Sequence, residues 1–394
     1  MKPTLSYVVV TPYTIAKSRT GGVISRLLSR VDLELVAAQI VTPDEIFTHE
    51  YASALRRQAV QNLTSGIELL ADYVERNLGP SGGRRHRSLV LVFRGEDPCE
   101  KLSDVCGALY PENRSVESIT GETIRDTYAD LIMDQDSPGK VIYFEPAVLS
   151  PRKQAFADEN LALFARHFKG NENIVNNMPY PDLSKIERTL VIIKPDNWTY
   201  ASSKPGTIID MFSRTGLRIV GIKLFRFSLN QALDFYGPVE EGLKEKLAPI
   251  FGQKAKEMLE REFTLTFDPE VGESLSDGFG RQCAEEQFRK IIEFMSGRRP
   301  DNCPPDDANK PGNVKCMILV YEGEYAIRKI RDVLGSTDPL QAREGTVRRE
   351  FGSSVMVNTA HASDSQESYI RESKIVRVGE NNIVPIIEDY LASL

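Results

Sequence analysis

The chain has 394 residues, of which 41% are hydrophobic and 27% charged, with a formal net charge of −7 at pH 7. That length suits two or three domains, no stretch supplies the roughly 18 consecutive apolar residues of a membrane helix, and the acidic balance argues against nucleic acid as the main partner. The N-terminus lacks signal-peptide architecture, so a cytoplasmic location is expected and the sequons at Asn62, Asn113 and Asn197 should stay unmodified.

The chain opens on "YVVVTPYTIAKSRTGGVISRLLSRVDLELV" (7–36), a β-branched run followed by Pro12, a polar loop, an amphipathic helix and a second strand. "GGRRHRS" (82–88) reads as a solvated basic loop. A strand and helix follow in "VLVFRGEDPCEKLSDVCGALYP" (90–111), then "ETIRDTY" (122–128) and "ADLIMDQDSPGKVIYFEPAV" (129–148). The Asn, Pro and Gly of "KGNENIVNNMPYPDLSKI" (169–186) suit a linker.

Beyond it the pattern returns. "LVIIKPDNWTYASSKPGTIIDMFSRTGLRIV" (190–220) repeats the opening, with Pro195 answering Pro12. "ILVYEGEYAIRKIRDVLGSTDP" (318–339) repeats 90–111 without a gap, matching Gly95 to Gly323, Asp104 to Asp332, Gly107 to Gly335 and Pro111 to Pro339. "GTVRREF" (345–351) repeats 122–128. Three matches in one order predict two copies of a domain. The predicted division is a first copy over 1–170, a linker over 171–186 and a second copy over 187–394. The second copy carries an insertion around 250–312, whose Gly, Pro and Asp predict loops. Strands and helices alternate with about four strands per copy, which predicts an α/β sandwich of the ferredoxin-like βαββαβ type. The five cysteines (Cys99, Cys106, Cys283, Cys303, Cys316) form no CxxC pair and no Cys/His cluster, so neither a zinc site nor a disulfide framework is expected.

The second copy resembles the nucleoside diphosphate kinase family. The resemblance rests on "RTLVIIKPD" (188–196), "GTIIDMFSRTGLRIVGIK" (206–223), "FYG" (235–237), "FRKIIEFMSG" (288–297), "RDVLGSTDP" (331–339), "EGTVRREF" (344–351) and "NTAHASDSQES" (358–368), in that order. It implies transfer of a γ-phosphate from a nucleoside triphosphate to a nucleoside diphosphate, through a phosphohistidine on His361 and with ping-pong kinetics. It implies that Glu372 and Ser363 orient the His361 ring and that Tyr236 packs beside it. Lys194, Arg331 and Arg348 would neutralise phosphate charge, Thr337 would hydrogen-bond phosphate, Asn358 and Lys194 would hold the sugar hydroxyl, and Phe288 would stack on the base. Magnesium is implied as a companion of the nucleotide, bridging its phosphates, with no dedicated metal cage in the protein. The expected assembly is a pseudo-dimer within the chain or a homo-oligomer.

The first copy follows the family only in outline. Thr11 stands where Lys194 should be, Ser103 where Arg331 is and Leu109 where Thr337 is; Arg125 keeps the place of Arg348, and residues 129–148 hold no histidine. This copy is therefore expected to be silent. Two departures mark the second copy: Ala362 replaces the glycine usual after the histidine, and "AREG" (342–345) replaces the usual Pro-Gly. The alternative reading is a nucleotide-binding regulatory or scaffold protein with little or no kinase activity.

Overall fold

A computed structural model of the protein describes residues 2–62, 66–109, 121–136, 140–176 and 178–394, and leaves the side chains of 61 and 62 aside. The sequon at Asn113, most of the one at Asn62, the matched Pro111 and part of the 129–148 segment lie outside the described residues. The chain divides into two compact units. The larger comprises Met1–Leu224, Met317–Ile370 and Arg377–Leu394; the smaller comprises Phe225–Cys316 and Arg371–Val376.

The larger unit is built on two four-stranded sheets. The first contains β1 (Thr4–Val10), β2 (Glu34–Val41), β3 (Ser88–Gly95) and, after a hairpin of β4 (Asp130–Met133) and β5 (Val141–Glu145), the short β6 (Val148–Leu149). The second contains β7 (Ile186–Ile193), β8 (Arg218–Phe225), β9 (Cys316–Glu324) and β10 (Ala360–Ala362). Their orders are β2-β3-β1-β6 and β10-β7-β9-β8, which is one order read from opposite edges. In each sheet the first strand is central and pairs antiparallel with its third and last strands. This is the ferredoxin-like arrangement predicted above. The β4–β5 hairpin is an addition to it, absent from the four-strand reading. Its period-two signal is weak because both strands are largely exposed.

The central strands are buried on both faces, which is why β1 and β7 read as continuous β-branched runs and not as alternating ones. Helices cover the sheets. Thr20–Arg30 buries Val23, Ile24 and Leu27, and Lys204–Ser213 buries Ile208, Ile209 and Phe212. These two helices meet at glycine. A Cβ on Gly21 would stand 2.4 Å from the Asp210 amide nitrogen, and one on Gly206 would stand 2.3 Å from that of Ser25. One apolar core therefore runs through the helices of both sheets. A second core lies against the other face of the first sheet and takes in Ile383, Val384, Ile387 and Tyr390 from the C-terminal segment. There the Tyr390 hydroxyl donates to Asp158 at 2.8 Å.

The smaller unit is mostly helical. Leu229–Tyr236, the 24-residue Glu240–Phe263, Pro269–Leu275 and Arg281–Ser296 are its main helices, and a π-turn, Ser276–Gly280, joins the last two. The predicted loop over "TFDPEVGESLSDGFGRQ" is thus corrected to helix. Pro269 follows Asp268 and starts a helix, where its missing N–H costs nothing. Gly252 and Gly280 are sites of close backbone approach. A Cβ on Gly280 would lie 2.2 Å from the Ala248 carbonyl oxygen, and one on Gly252 would lie 2.5 Å from the Ser276 nitrogen. The second predicted loop, 297–313, forms only the short turns Pro300–Asn302 and Pro305–Asp307, as its proline content requires.

Candidate active site

In the larger unit the candidate residues gather where β7 and β10 end. Lys194 leaves β7 and caps the turn Pro195–Asn197. Its amide donates to the Thr359 carbonyl at 2.9 Å, which locks the strand end to the segment before β10. Its side chain is buried, and Nζ donates to Asn358 Oδ1 at 2.7 Å. Asn358 is also buried, and its Nδ2 donates to the Thr337 carbonyl at 3.1 Å. Lys194, Asn358 and the loop that carries the exposed Thr337 are thereby joined.

His361 lies in the middle of β10, opposite Ile192 of β7. Alternation along the strand turns Ala360 and Ala362 into the core and leaves the His361 side chain on the other face, half-buried. Ala362 pairs with Val191 and has no positive φ, so the methyl group that replaces the family's glycine meets no backbone conflict. The positive φ nearby is Thr359, at 74°. Ser363 is fully buried, and its amide donates to the Leu190 carbonyl at 3.0 Å.

Arg348 comes from the short helix Val347–Phe351. Its guanidinium donates to the carbonyls of Gly335 and Ala360, each at 3.1 Å, and so reaches the residue before His361. Arg331 lies in the last turn of the helix Ala326–Leu334 with an exposed side chain. A hydrogen bond from Ser368, with help from the charge of Arg331, holds the Asp364 carboxyl below its usual range. The larger unit thus brings together Lys194, Arg331, Thr337, Arg348, Asn358, His361 and Ser363. In the "AREG" segment, Gly345 has φ 73° and its amide donates to Glu350.

Tyr236, Phe288 and Glu372 belong to the smaller unit. Tyr236 ends the helix Leu229–Tyr236, with its ring 5.0 Å from that of Phe235. Phe288 is 4% exposed and falls on the buried stripe Ala284, Phe288, Ile292, Met295 of its helix. Glu372 is 3% exposed, with Arg371 at 3.6 Å. Arg371 also donates to the carbonyls of Asp234 and Phe235, so it links Glu372 to the helix that carries Tyr236.

Three residues were not singled out in the sequence: Arg371, Asp364 and Asn197. The buried Asn197 donates to the carbonyls of Lys194 and Thr359 at 2.9 and 2.8 Å. Apart from the sequon that begins there, the turn chemistry of "KPDN" is its sequence signal. Among the described residues no group of three or more acidic, His or Cys side chains is disposed to hold a metal ion. No described helix is long and apolar enough to cross a membrane.

The first sheet carries the same framework with other side chains. Thr11 N donates to Ala147 O as Lys194 N does to Thr359 O. Arg125 donates to the carbonyls of Gly107 and Val148, as Arg348 does to those of Gly335 and Ala360. In register, Leu149 opposite Val9 holds the place that His361 opposite Ile192 holds in the second sheet.

The family model described as nucleoside diphosphate kinase matches residues 187–267 and 308–380. The chain is similar to the nucleoside diphosphate kinase of Halorhodospira halophila, at 31% identity over 183 residues, which is 46% of this chain and 86% of that protein. It is similar to that of Cereibacter sphaeroides at 33% identity over 187 residues, 48% of this chain and 90% of that protein. Among solved structures it matches an NDP kinase from Pyrobaculum aerophilum over 48% of this chain and 94% of that one, at 25% identity and a TM-score of 0.33. The interval between the two matched segments, 268–307, lies inside the predicted insertion.

Proposed function

The chain belongs to the nucleoside diphosphate kinase family, and from that premise we propose that its second half carries a γ-phosphate from a nucleoside triphosphate to a nucleoside diphosphate on His361. The observation that carries this reading is the convergence of His361, Arg348 and the Lys194–Asn358 pair at the ends of β7 and β10.

In the first half-reaction a neutral imidazole nitrogen attacks the γ-phosphorus. The bond from that phosphorus to the β–γ bridging oxygen breaks, and the nucleoside diphosphate leaves with the electron pair. In the second, a β-phosphate oxygen of the acceptor attacks the phosphohistidine and the P–N bond breaks, restoring the ring. Both steps build charge on phosphoryl oxygens. Arg331 and Arg348 meet it with guanidinium groups that take phosphate in two-pronged fashion. The Lys194 ammonium is held by Asn358 before any substrate arrives, so little reorganisation is needed. Thr337 supplies a hydroxyl donor. Glu372, Tyr236 and Phe288 take their roles in this reading from the family motifs alone.

Magnesium brought in with the nucleotide would add charge neutralisation. The donor set fits an ion held mainly by the nucleotide: two guanidiniums, an ammonium and a hydroxyl, with Asp364 the carboxylate beside them. The first half is catalytically silent on this reading, since Thr11, Ser103, Leu109 and Leu149 stand in for Lys194, Arg331, Thr337 and His361. The glycine-mediated contact between Thr20–Arg30 and Lys204–Ser213 supports a pseudo-dimer of the two halves within one chain.

The test is to expose the protein to γ-labelled ATP. Acid-labile label on His361 that an added nucleoside diphosphate removes is the expected result. A folded protein that never takes up label contradicts the reading.

A further inference from the structure

The first half has lost the candidate nucleophile, yet it keeps a cavity of about 310 Å³ in the corresponding place. Ser103 and Leu109, the counterparts of Arg331 and Thr337, line it together with Arg125. The equivalence is structural as well as sequential. The helices Pro98–Cys106 and Ala326–Leu334 both start after a left-handed residue, Asp97 or Tyr325, and both end on a glycine with φ 86°.

Three cations converge on this cavity, and among the described residues no carboxylate lines it or pairs with them. Arg125 is 5% exposed, and its Nε has no hydrogen-bond partner. Its terminal nitrogens donate to the Gly107 and Val148 carbonyls, and no carboxylate pairs with it among the described residues. Burial lowers its pKa, with Cys106 opposing that shift and the neighbouring Arg152 adding to it. Arg152 and Lys153 are exposed at the cavity rim, and neither has an ion pair among the described residues. Lys153 is also the N-cap of the 15-residue helix Gln154–Phe168, and no side chain caps that helix start. Unsatisfied backbone N–H groups and the positive end of the helix dipole therefore add to the cationic field. An unpaired buried guanidinium is costly, and the natural compensation is an anion.

These charges are not leftovers of the second half's pattern. Counting from the Leu149–His361 equivalence, Arg152 and Lys153 stand where the second half has Asp364 and Ser365. The rest of the lining includes the apolar side chains Leu55, Leu70, Leu109 and Phe156, and the Lys153 ammonium stands 5.9 Å from the Phe156 ring centroid.

We propose that this cavity is a second, non-catalytic binding site for a phosphate-bearing ligand that also carries an apolar or flat group, with Arg125, Arg152, Lys153 and the start of Gln154–Phe168 taking the phosphate. With leucine in the histidine place, the ligand is held and not phosphorylated or dephosphorylated. The class includes nucleoside phosphates, so the site would let nucleotide supply bear on the chain apart from turnover.

The test is calorimetric titration of the full-length protein with ADP and, separately, with inorganic pyrophosphate. It compares the wild type with the double variant Arg152→Glu, Lys153→Glu, whose side chains are exposed and so leave the core untouched. The wild type is expected to show an ADP-binding component that charge reversal weakens roughly tenfold or more, as loss of charge-assisted hydrogen bonds requires. Pyrophosphate should bind the same component more weakly than ADP. Phosphotransfer by the variant at saturating substrate should be unchanged. The absence of any ADP component sensitive to charge reversal overturns the proposal. Pyrophosphate binding as tight as ADP overturns its apolar half. Failure of His361 to take up label leaves this site standing, because the binding component is read without turnover.

Discussion

Ala362 carries a question that sequence alone poses and the backbone answers. Where a glycine is expected, a methyl group threatens only if φ is positive. Ala362 is extended, paired with Val191 and 6% exposed. Ala362→Gly is therefore expected to lower stability by about 0.5–1 kcal/mol in denaturant titration and leave the transfer rate unchanged. Identity and spacing were legible for Lys194, Arg331, Thr337, Arg348, Asn358 and His361, because an ordered motif series carried them. The φ of Ala362 was not, since it depends on which strand β10 joins. Lys223 likewise reads as an ordinary charged residue, yet it is 4% exposed in β8 and donates to the Arg377 carbonyl at 2.9 Å. Burial pushes its pKa down to about 8, against a smaller opposing effect of Glu380. The fold thus holds this proton less tightly than the unfolded chain does, and the wild type gains stability as pH rises from about 8 toward the usual lysine range near 10.4. Lys223→Met lacks that gain. Melting measured from pH 7 to pH 10 should show the difference moving in the wild type's favour.

At the scale of elements, glycine misleads when read only as a breaker. Gly252 and Gly280 sit where helices of the smaller unit approach backbone to backbone, and this segment was predicted to be loop. The neighbouring 297–313 was read correctly because proline removes donors, a local effect. Gly252 and Gly280 serve packing, which is not local. The same device joins Thr20–Arg30 to Lys204–Ser213. A Cβ on Gly206 would lie 2.5 Å from the Gly21 carbonyl oxygen, a backbone atom that cannot swing aside. Gly206→Ala is expected to destabilise the protein by about 1–3 kcal/mol in thermal or denaturant unfolding. A loss below a few tenths of a kcal/mol would mean that the helices do not meet this closely.

At the scale of the whole chain, the internal repeat gave both sheets and their shared order, since each copy repeats the strand pattern. It did not give the return of the C-terminal segment to the first half. Ile383, Val384, Ile387 and Tyr390 are buried there with Leu161 and Phe164, a pairing that no local periodicity encodes. Truncation after Asn382 should lower the melting temperature and strip hydrogen-exchange protection from Gln154–Phe168. Retained protection would show that the helix does not rely on that cover. The hydrogen bonds of Tyr390 to Asp158 and of Lys169 to Glu388 would be lost with it.

The reading of function stands or falls on His361, because the first half has Leu149 in its place and no other described residue is offered as the phosphate carrier. The direct measurement is rapid-quench trapping of the phosphoenzyme from γ-labelled ATP, in the wild type and in His361→Ala, with melting curves on both. The expected result is acid-labile label on His361 in the wild type, discharged by a nucleoside diphosphate, and none in a variant that melts as the wild type does. Undiminished transfer by His361→Ala, or a folded wild type that takes up no label, would contradict it.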